Sequence, residues 1–178
     1  DTRAEWVDGE VILMSPASGE HQDLGSFLIS TLKCFVQARD LGIIRYEMFQ
    51  MKTGPDLPGR LPDILFVAKE HLHRLEHTSL RGPADLAIEI VSPESRARDR
   101  GAKFYEYEKG GVQEYWLLDP ERRRAEFYNL GVDDTYYFVP VGNDGIFRST
   151  VVDGLWIQVE WLWTQPPVLD VLREWALI

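Results

Sequence analysis

Two carboxylates stand where apolar strands ordinarily carry none: Asp63 in Leu61-Pro62-Asp63-Ile64-Leu65-Phe66-Val67 and Glu89 in Asp85-Leu86-Ala87-Ile88-Glu89-Ile90-Val91. Both segments are short, β-branched and nearly uniformly hydrophobic, the pattern of strands covered on both faces. An ionised carboxylate there is costly unless a cation shares its site. Two convergent carboxylates, with waters and a backbone carbonyl, form an oxygen-rich site suited to Mg²⁺ or Mn²⁺, the ions that activate water and neutralise charge in phosphodiester hydrolysis. Alternation along the second segment places Asp85, Ala87, Glu89 and Val91 on one face and Leu86, Ile88 and Ile90 on the other. Among small and apolar neighbours the Glu89 pKa should rise unless a metal, a lysine or an arginine compensates. Taken alone, Glu89 reads equally well as half of a buried structural ion pair. Asp63 adds weight to a site, because Pro62 cannot donate a ladder hydrogen bond and so opens its strand, leaving Asp63 at the mouth. A plain strand-end residue is the alternative.

The elements that must position these residues are legible from pattern. Glu5-Trp6-Val7 and Glu10-Val11-Ile12-Leu13-Met14 flank Asp8-Gly9, which predicts an N-terminal hairpin. Leu24, Leu28, Thr31, Leu32 and Phe35 recur at helical spacing up to Asp40-Leu41-Gly42. Strands are predicted over 43–52, 62–67 and 86–91, with a short helical stretch at 69–75. Asp99 to Lys109 reads as a second helix stopped by Gly110-Gly111. Strands follow at Tyr115-Trp116-Leu117-Leu118, Ala125 to Leu130 and Tyr136 to Val139. A strand-like stretch with Trp156, Trp161 and Trp163 precedes a short amphipathic helix over 168–177. The order predicts a mixed sheet with helices packed on it, an α/β or α+β fold with an N-terminal hairpin and a C-terminal strand-rich extension.

At 178 residues, with 44% hydrophobic and 27% charged residues, the chain fits a single globular domain over 1–178. It shows no repeat, no membrane-length apolar run and no basic, apolar leader, so a soluble, cytoplasmic protein is expected. The single Cys34 rules out an internal disulfide and, among apolar neighbours, is expected to be a buried thiol. His71, His73 and His77 read as a solvated helix and loop rather than a zinc site. The net charge of −10 argues against avid nucleic-acid binding by charge alone. The charge is uneven, however: Arg96, Arg98, Arg100 and Lys103 lie close together, and Arg122, Arg123 and Arg124 form a second cluster that reads as a solvated turn.

Pro62-Asp63, then Glu89 in a later strand, then Lys103 in the next helix resembles the PD-(D/E)xK nuclease superfamily, the restriction-endonuclease-like fold. More closely, the chain resembles the Uma-two family, on Val7-Asp8-Gly9-Glu10 with Ser15-Pro16 and His21, Leu61-Pro62-Asp63-Ile64, Asp85 to Ser95, Asp99 to Lys103 with Tyr107, and Gly111 to Pro120. The resemblance implies a metal-dependent phosphodiesterase core, with Asp63 and Glu89 as ligands of Mg²⁺ or Mn²⁺ and a lysine that orients or activates the attacking water. The lysine expected two residues after Glu89 is replaced by Val91. Lys103, from the following helix, is its substitute, against the alternative of a surface residue paired with Asp99. Glu20 and His21 at the start of the first helix, and Tyr107, are accessory candidates; each also has a plain structural explanation.

The leading expectation is a Mg²⁺-dependent DNA endonuclease without a covalent intermediate. Asp63, Glu89 and the Ile90 carbonyl would hold the metal, Lys103 the water, and Arg96, Arg98 and Arg100 the phosphate backbone. The alternative is a nuclease fold retained as a catalytically weak or inactive DNA- or protein-binding regulatory module, which the acidic balance and the missing strand lysine favour. The aromatic tail reads as core or as the surface of a homodimer or higher homo-oligomer rather than as a base-stacking platform.

Overall fold

The structure, a computed structural model, describes residues 4–7, 10–13 and 18–178. The predicted hairpin forms from β1 (Ala4–Val7) and β2 (Glu10–Leu13), which pair antiparallel with Val7 opposite Glu10. Its Asp8-Gly9 turn, and the Ser15-Pro16 pair, lie outside the described residues. Ser18 caps α1 (Gly19–Ala38): its hydroxyl accepts the His21 amide N–H, satisfying one of the helix's orphan donors.

The frame is a six-stranded sheet in the order β10-β9-β8-β7-β5-β3. In chain order its strands are β3 (Gly42–Tyr46), β5 (Ile64–Ala68), β7 (Leu86–Ile90), β8 (Glu114–Asp119), β9 (Arg124–Leu130) and β10 (Tyr136–Phe138). Every pairing is antiparallel except that of β7 with β8, and the chain makes that parallel crossover through α2 (Arg96–Arg100) and α3 (Ala102–Gly110). Helices therefore cover both faces. Leu24, Leu28, Leu32 and Phe35 of α1 pack on Ile64, Phe66, Ile88, Ile90, Trp116 and Phe127. On the other face Tyr107 and Val112 meet Leu65, Val67, Ala87, Tyr115 and Leu117. This division reproduces the predicted alternation along β7 and puts Glu89 on the α3 side.

Several elements differ in detail from the sequence expectation. The strand predicted over 43–52 is broken at Glu47 and Met48, whose positive φ values of 37° and 55° turn the chain out of the sheet. Beyond the break, β4 (Gln50–Lys52) pairs in parallel with β6 (Ser79–Arg81), and the stretch between β5 and β6 is a 3₁₀ turn at Lys69–Arg74. The helix predicted from Asp99 begins earlier and is divided at Gly101, where a Cβ would stand 2.8 Å from the Ala97 carbonyl oxygen. Gly111, at φ 84°, ends α3 as expected of a left-handed C-cap.

Cys34 is exposed, not buried as expected. The buried stripe of α1 is held by Thr31, Leu32, Phe35 and Val36, and Cys34 falls on the opposite side of the helix. The C-terminal extension is less strand-rich than expected: β11 (Ile146–Arg148) and β12 (Trp156–Gln158) form one hairpin, and Trp161 and Trp163 belong to a helical turn, α4 (Trp161–Thr164). After the Pro166-Pro167 break comes α5 (Val168–Glu174). Trp175 then closes the tail over α1, its ring edge-on to Phe35 at 5.1 Å and its indole N–H donating to the Trp156 carbonyl at 2.8 Å. Trp175 is thus core, and Trp156, Trp161 and Trp163 pack against that core partly buried. Among the described residues no helix is long and apolar enough to cross a membrane.

Candidate active site

The β5 ladder opens at Ile64 rather than Pro62, which leaves Asp63 just outside the strand. Because Ile64 pairs with Ile88, the same register carried back one residue sets Asp63 across from Glu89. The Asp63 carboxylate is tied to the neighbouring strand by the Ile90 amide N–H, which donates to its Oδ2 at 2.7 Å. His21 Nε2 lies 3.4 Å from the same oxygen, so the first turn of α1 reaches the mouth of the sheet. Asp63, His21, Glu47, Ile64 and Ile90 line a cavity of about 280 Å³; Glu89 and Lys103 do not.

Glu89 lies deeper, in the middle of β7. Lys103 Nζ approaches its Oε2 at 2.8 Å, and the Tyr107 hydroxyl donates to its Oε1 at 2.6 Å. One helix thus supplies both partners, from positions one turn apart on its buried face. The reading of Lys103 as a surface residue does not hold: its side chain is 2% exposed and Asp99, four residues earlier, is 1% exposed, with Nζ 3.3 Å from Asp99 Oδ1. The ammonium therefore sits between two buried carboxylates. Burial is the main reason the Glu89 carboxyl is pushed up to about 8; the charges of Asp99 and Asp63 add to the rise and Lys103 opposes it. Burial also raises the Tyr115 hydroxyl, with Glu89 and Asp99 contributing; this hydroxyl donates to the Asp99 carbonyl at 3.1 Å and so fixes the end of α2.

Folded Glu89 holds its proton to about 8, whereas an ordinary carboxyl releases it near 4.5, so the native state binds the extra proton between those values. Its stabilising effect is complete below 4.5 and is lost as the pH rises through about 8. In metal-free buffer the Tm of the wild-type protein, taken relative to Glu89→Gln, is expected to fall across that window. A flat difference in a thermal-shift series from pH 4 to 9 would contradict it.

Of the accessory candidates, His21 and Tyr107 reach Asp63 and Glu89. Glu20 does not: it lines a separate cavity of about 330 Å³ with Asp23, Arg123 and Trp163. The three arginines divide. Arg96 is spent on Asp119 at 3.2 Å and Glu121 at 2.7 Å, and Arg100 on Glu126 at 2.5 Å. Arg98 makes no such pair among the described residues, and its Nε is buried without a hydrogen-bond partner. Pattern reading missed the Arg60–Glu106 pair, a bidentate contact at 2.5 and 2.7 Å that links the segment leading to Asp63 with the helix bearing Lys103. It also treated His71 as solvated, although its Nδ1 lies 2.7 Å from the buried Asp85 carboxylate. Neither partner is close in sequence, so no spacing rule reports them.

Among the described residues no group of three or more His, Cys, Asp or Glu side chains is set to hold a metal. The oxygens that face a cation are the Asp63 carboxylate at the mouth and, deeper in the sheet, that of Glu89 at the same register. Such an all-oxygen set suits Mg²⁺ or Mn²⁺, which keep several waters and need few protein ligands, and it lacks the nitrogen and sulfur donors zinc favours.

Comparison with known proteins bears on the same frame. The family described as "Uma2: Putative restriction endonuclease" matches residues 1–160. The chain belongs to the Uma2 family. Its fold is similar to the crystal structure of "a putative nuclease belonging to DUF820" from Anabaena variabilis ATCC 29413, with a TM-score of 0.72 and 19% identity over 90% of this chain and 89% of that one. No curated protein matches the chain. The mixed sheet flanked by helices is thus a nuclease-like fold. Within this Uma2 chain, the β7–α2–α3 crossover brings Glu89, Asp99, Lys103 and Tyr107 together, and the β5 start brings Asp63 to their side.

Proposed function

We propose that this Uma2 protein is a Mg²⁺- or Mn²⁺-dependent DNA endonuclease. The observation that carries the reading is the buried 2.8 Å contact of Lys103 with Glu89, in register with Asp63. A lysine delivered from α3 meets the strand carboxylate that lacks one at Val91. Asp63, Glu89 and the Ile90 carbonyl would hold the ion. When bound, a divalent ion lowers the pKa of water and offsets charge on the scissile phosphate. Asp63 is fixed for that role by the Ile90 N–H, and Glu89 by the Tyr107 hydroxyl. Lys103 positions the attacking water and stabilises the negative charge that develops on the phosphate oxygens. His21, beside Asp63, orients that carboxylate at the cavity wall. Arg98 is the arginine of its cluster best placed to contact the phosphate backbone, since Arg96 and Arg100 are engaged by carboxylates.

A second reading is supported by one feature. Both Glu89 oxygens are already engaged by the chain's own Lys103 and Tyr107, as in a nuclease fold kept as a binding or regulatory module. Plasmid cleavage separates the two. Metal-dependent nicking by the wild type, lost in Asp63→Ala and in Lys103→Ala, is the expected result. Undiminished nicking by Asp63→Ala would remove the assignment. A calorimetric titration in which Mn²⁺ gives no heat with wild type would favour the regulatory module.

A further inference from the structure

The cavity beside Asp63 offers more than a place for an ion. Its volume of about 280 Å³ is close to the lower bound, about 300 Å³, of pockets that take a small organic ligand. It has room for one nucleoside and none for a base pair. Its wall is mixed: Ile29, Ile64 and Ile90 are apolar, while Gln22, Ser26 and Glu47 bring an amide, a hydroxyl and a carboxylate. No lysine or arginine is among the described residues that line it, and the Asp63 and Glu47 carboxylates repel a phosphate. Apolar walls together with hydrogen-bonding groups suit a base, whose faces are apolar and whose edges carry donors and acceptors. Gly25 keeps the space open. It lies inside α1 without a positive φ, where glycine destabilises relative to alanine. Packing does not require it, since a Cβ there would meet Ile90 Cδ1 at 3.5 Å, an ordinary contact. What a larger side chain would occupy is the cavity that Gly25 lines.

We infer that the cavity receives one unpaired nucleoside of the strand that is cut, so that the substrate class is DNA presenting an extruded or single-stranded nucleotide at the scissile phosphate. The inference rests on the nuclease reading. A base in a perfect duplex is paired and stacked, and it enters a cavity only after being swung out, at a cost that a mismatch or a single strand lowers. With the base inside, the adjoining phosphate comes to Asp63, which belongs to the same wall. The charge of the chain fits this substrate. A duplex is held largely by neutralising its phosphates, yet the net charge is −10 and Arg96 and Arg100 are engaged by carboxylates. A base buried beside the site supplies affinity that charge does not.

The test follows one strand in three forms, single, in a duplex with a central mismatched bubble, and fully paired, each cut in Mn²⁺ by wild type and by Gly25→Leu. Wild type is expected to cut both unpaired forms at least about tenfold faster than the paired one, because extrusion is already accomplished. Gly25→Leu fills the cavity and is expected to cut the single strand about tenfold more slowly than wild type, with unchanged Mn²⁺ affinity by calorimetry. Leucine is the better helix former, so the fold should not suffer. Should the variant fail to fold, Ser26→Leu narrows the same cavity and decides in the same way. Equal wild-type rates on paired and unpaired strands, or a full rate on the single strand in Gly25→Leu, overturns the inference and leaves the nuclease reading standing. So does a loss accompanied by weaker Mn²⁺ binding, which would put the damage at Asp63. Binding without metal gives a readout besides cleavage: a 2-aminopurine in the bubble brightens as it leaves the stack, and is expected to do so with wild type and not with Gly25→Leu. A wild type that brightens the probe but cuts nothing ends the nuclease reading and keeps the cavity as a nucleoside site. One that does neither ends both.

Discussion

Glu89→Gln is expected to reduce metal-dependent DNA cleavage by about a thousandfold or more, the scale seen when a group that stabilises transition-state charge is removed. The substitution keeps the size and shape of the side chain. Its amide oxygen can still accept from Tyr107, and Lys103 retains Asp99 as a counter-charge. What it loses is the anionic oxygen that a hard cation requires. The fold should therefore persist while cleavage disappears, and circular dichroism alongside a plasmid-nicking rate would show both. Nicking by Glu89→Gln at the wild-type rate would place the chemistry elsewhere and leave the carboxylate as a structural partner of Lys103. The variant should also lose the pH-dependent stability assigned to Glu89, so one substitution tests both the proposed catalytic role and the thermodynamic one.

The second large effect lies away from the site. Trp116→Ala is expected to lower the unfolding free energy by about 3–5 kcal/mol, read from urea denaturation. Trp116 is 0% exposed on β8, edge-on to Phe127 at 5.4 Å and to Phe147 at 5.3 Å. Its indole N–H donates to Glu114 Oε1 at 2.7 Å, and Glu114 Oε2 accepts the Thr150 amide N–H at 2.8 Å. Removing the ring opens a cavity where the sheet meets the β11–β12 hairpin and takes a donor from a buried carboxylate whose pKa burial already raises. Trp116→Phe, which keeps most of the packing and drops the donor, should cost less. A loss below about 1 kcal/mol in Trp116→Ala would mean that the C-terminal extension is not anchored through this residue.

These two positions differ in how far the sequence announces them. Trp116 lies in the apolar run Tyr115-Trp116-Leu117-Leu118, and its burial follows from that pattern; that Glu114 would turn inward to serve it does not. Glu89 stands out for the opposite reason, as a charge in an apolar strand. The alternation along Leu86–Ile90 correctly gives its face, because in a strand the side-chain period is fixed by the backbone. That a lysine of α3 comes to Glu89 is what the family pattern leads one to expect. That both Asp99 and Lys103 are buried is not, since an i,i+4 acid–base pair is the same on an exposed helix face as on a buried one.

What the sequence determined by itself are the local, periodic properties: the first helix and its apolar stripe, the strands at Asp63 and Glu89, the stop at Gly111 and the resemblance to the Uma2 family. The elements depend on residues within a turn or a strand of one another, and the resemblance on the order of short motifs along the chain. The tertiary structure decided everything that depends on which distant segments meet. It broke the third strand at Glu47, put Cys34 on the solvent face, engaged Arg96 and Arg100 with acids some 25 residues away, joined Arg60 to Glu106, and set the Lys103 ammonium between two carboxylates. The physical reason is that a charge chooses its partner by distance in space and by the absence of water, and neither quantity is written in the spacing of residues along the chain.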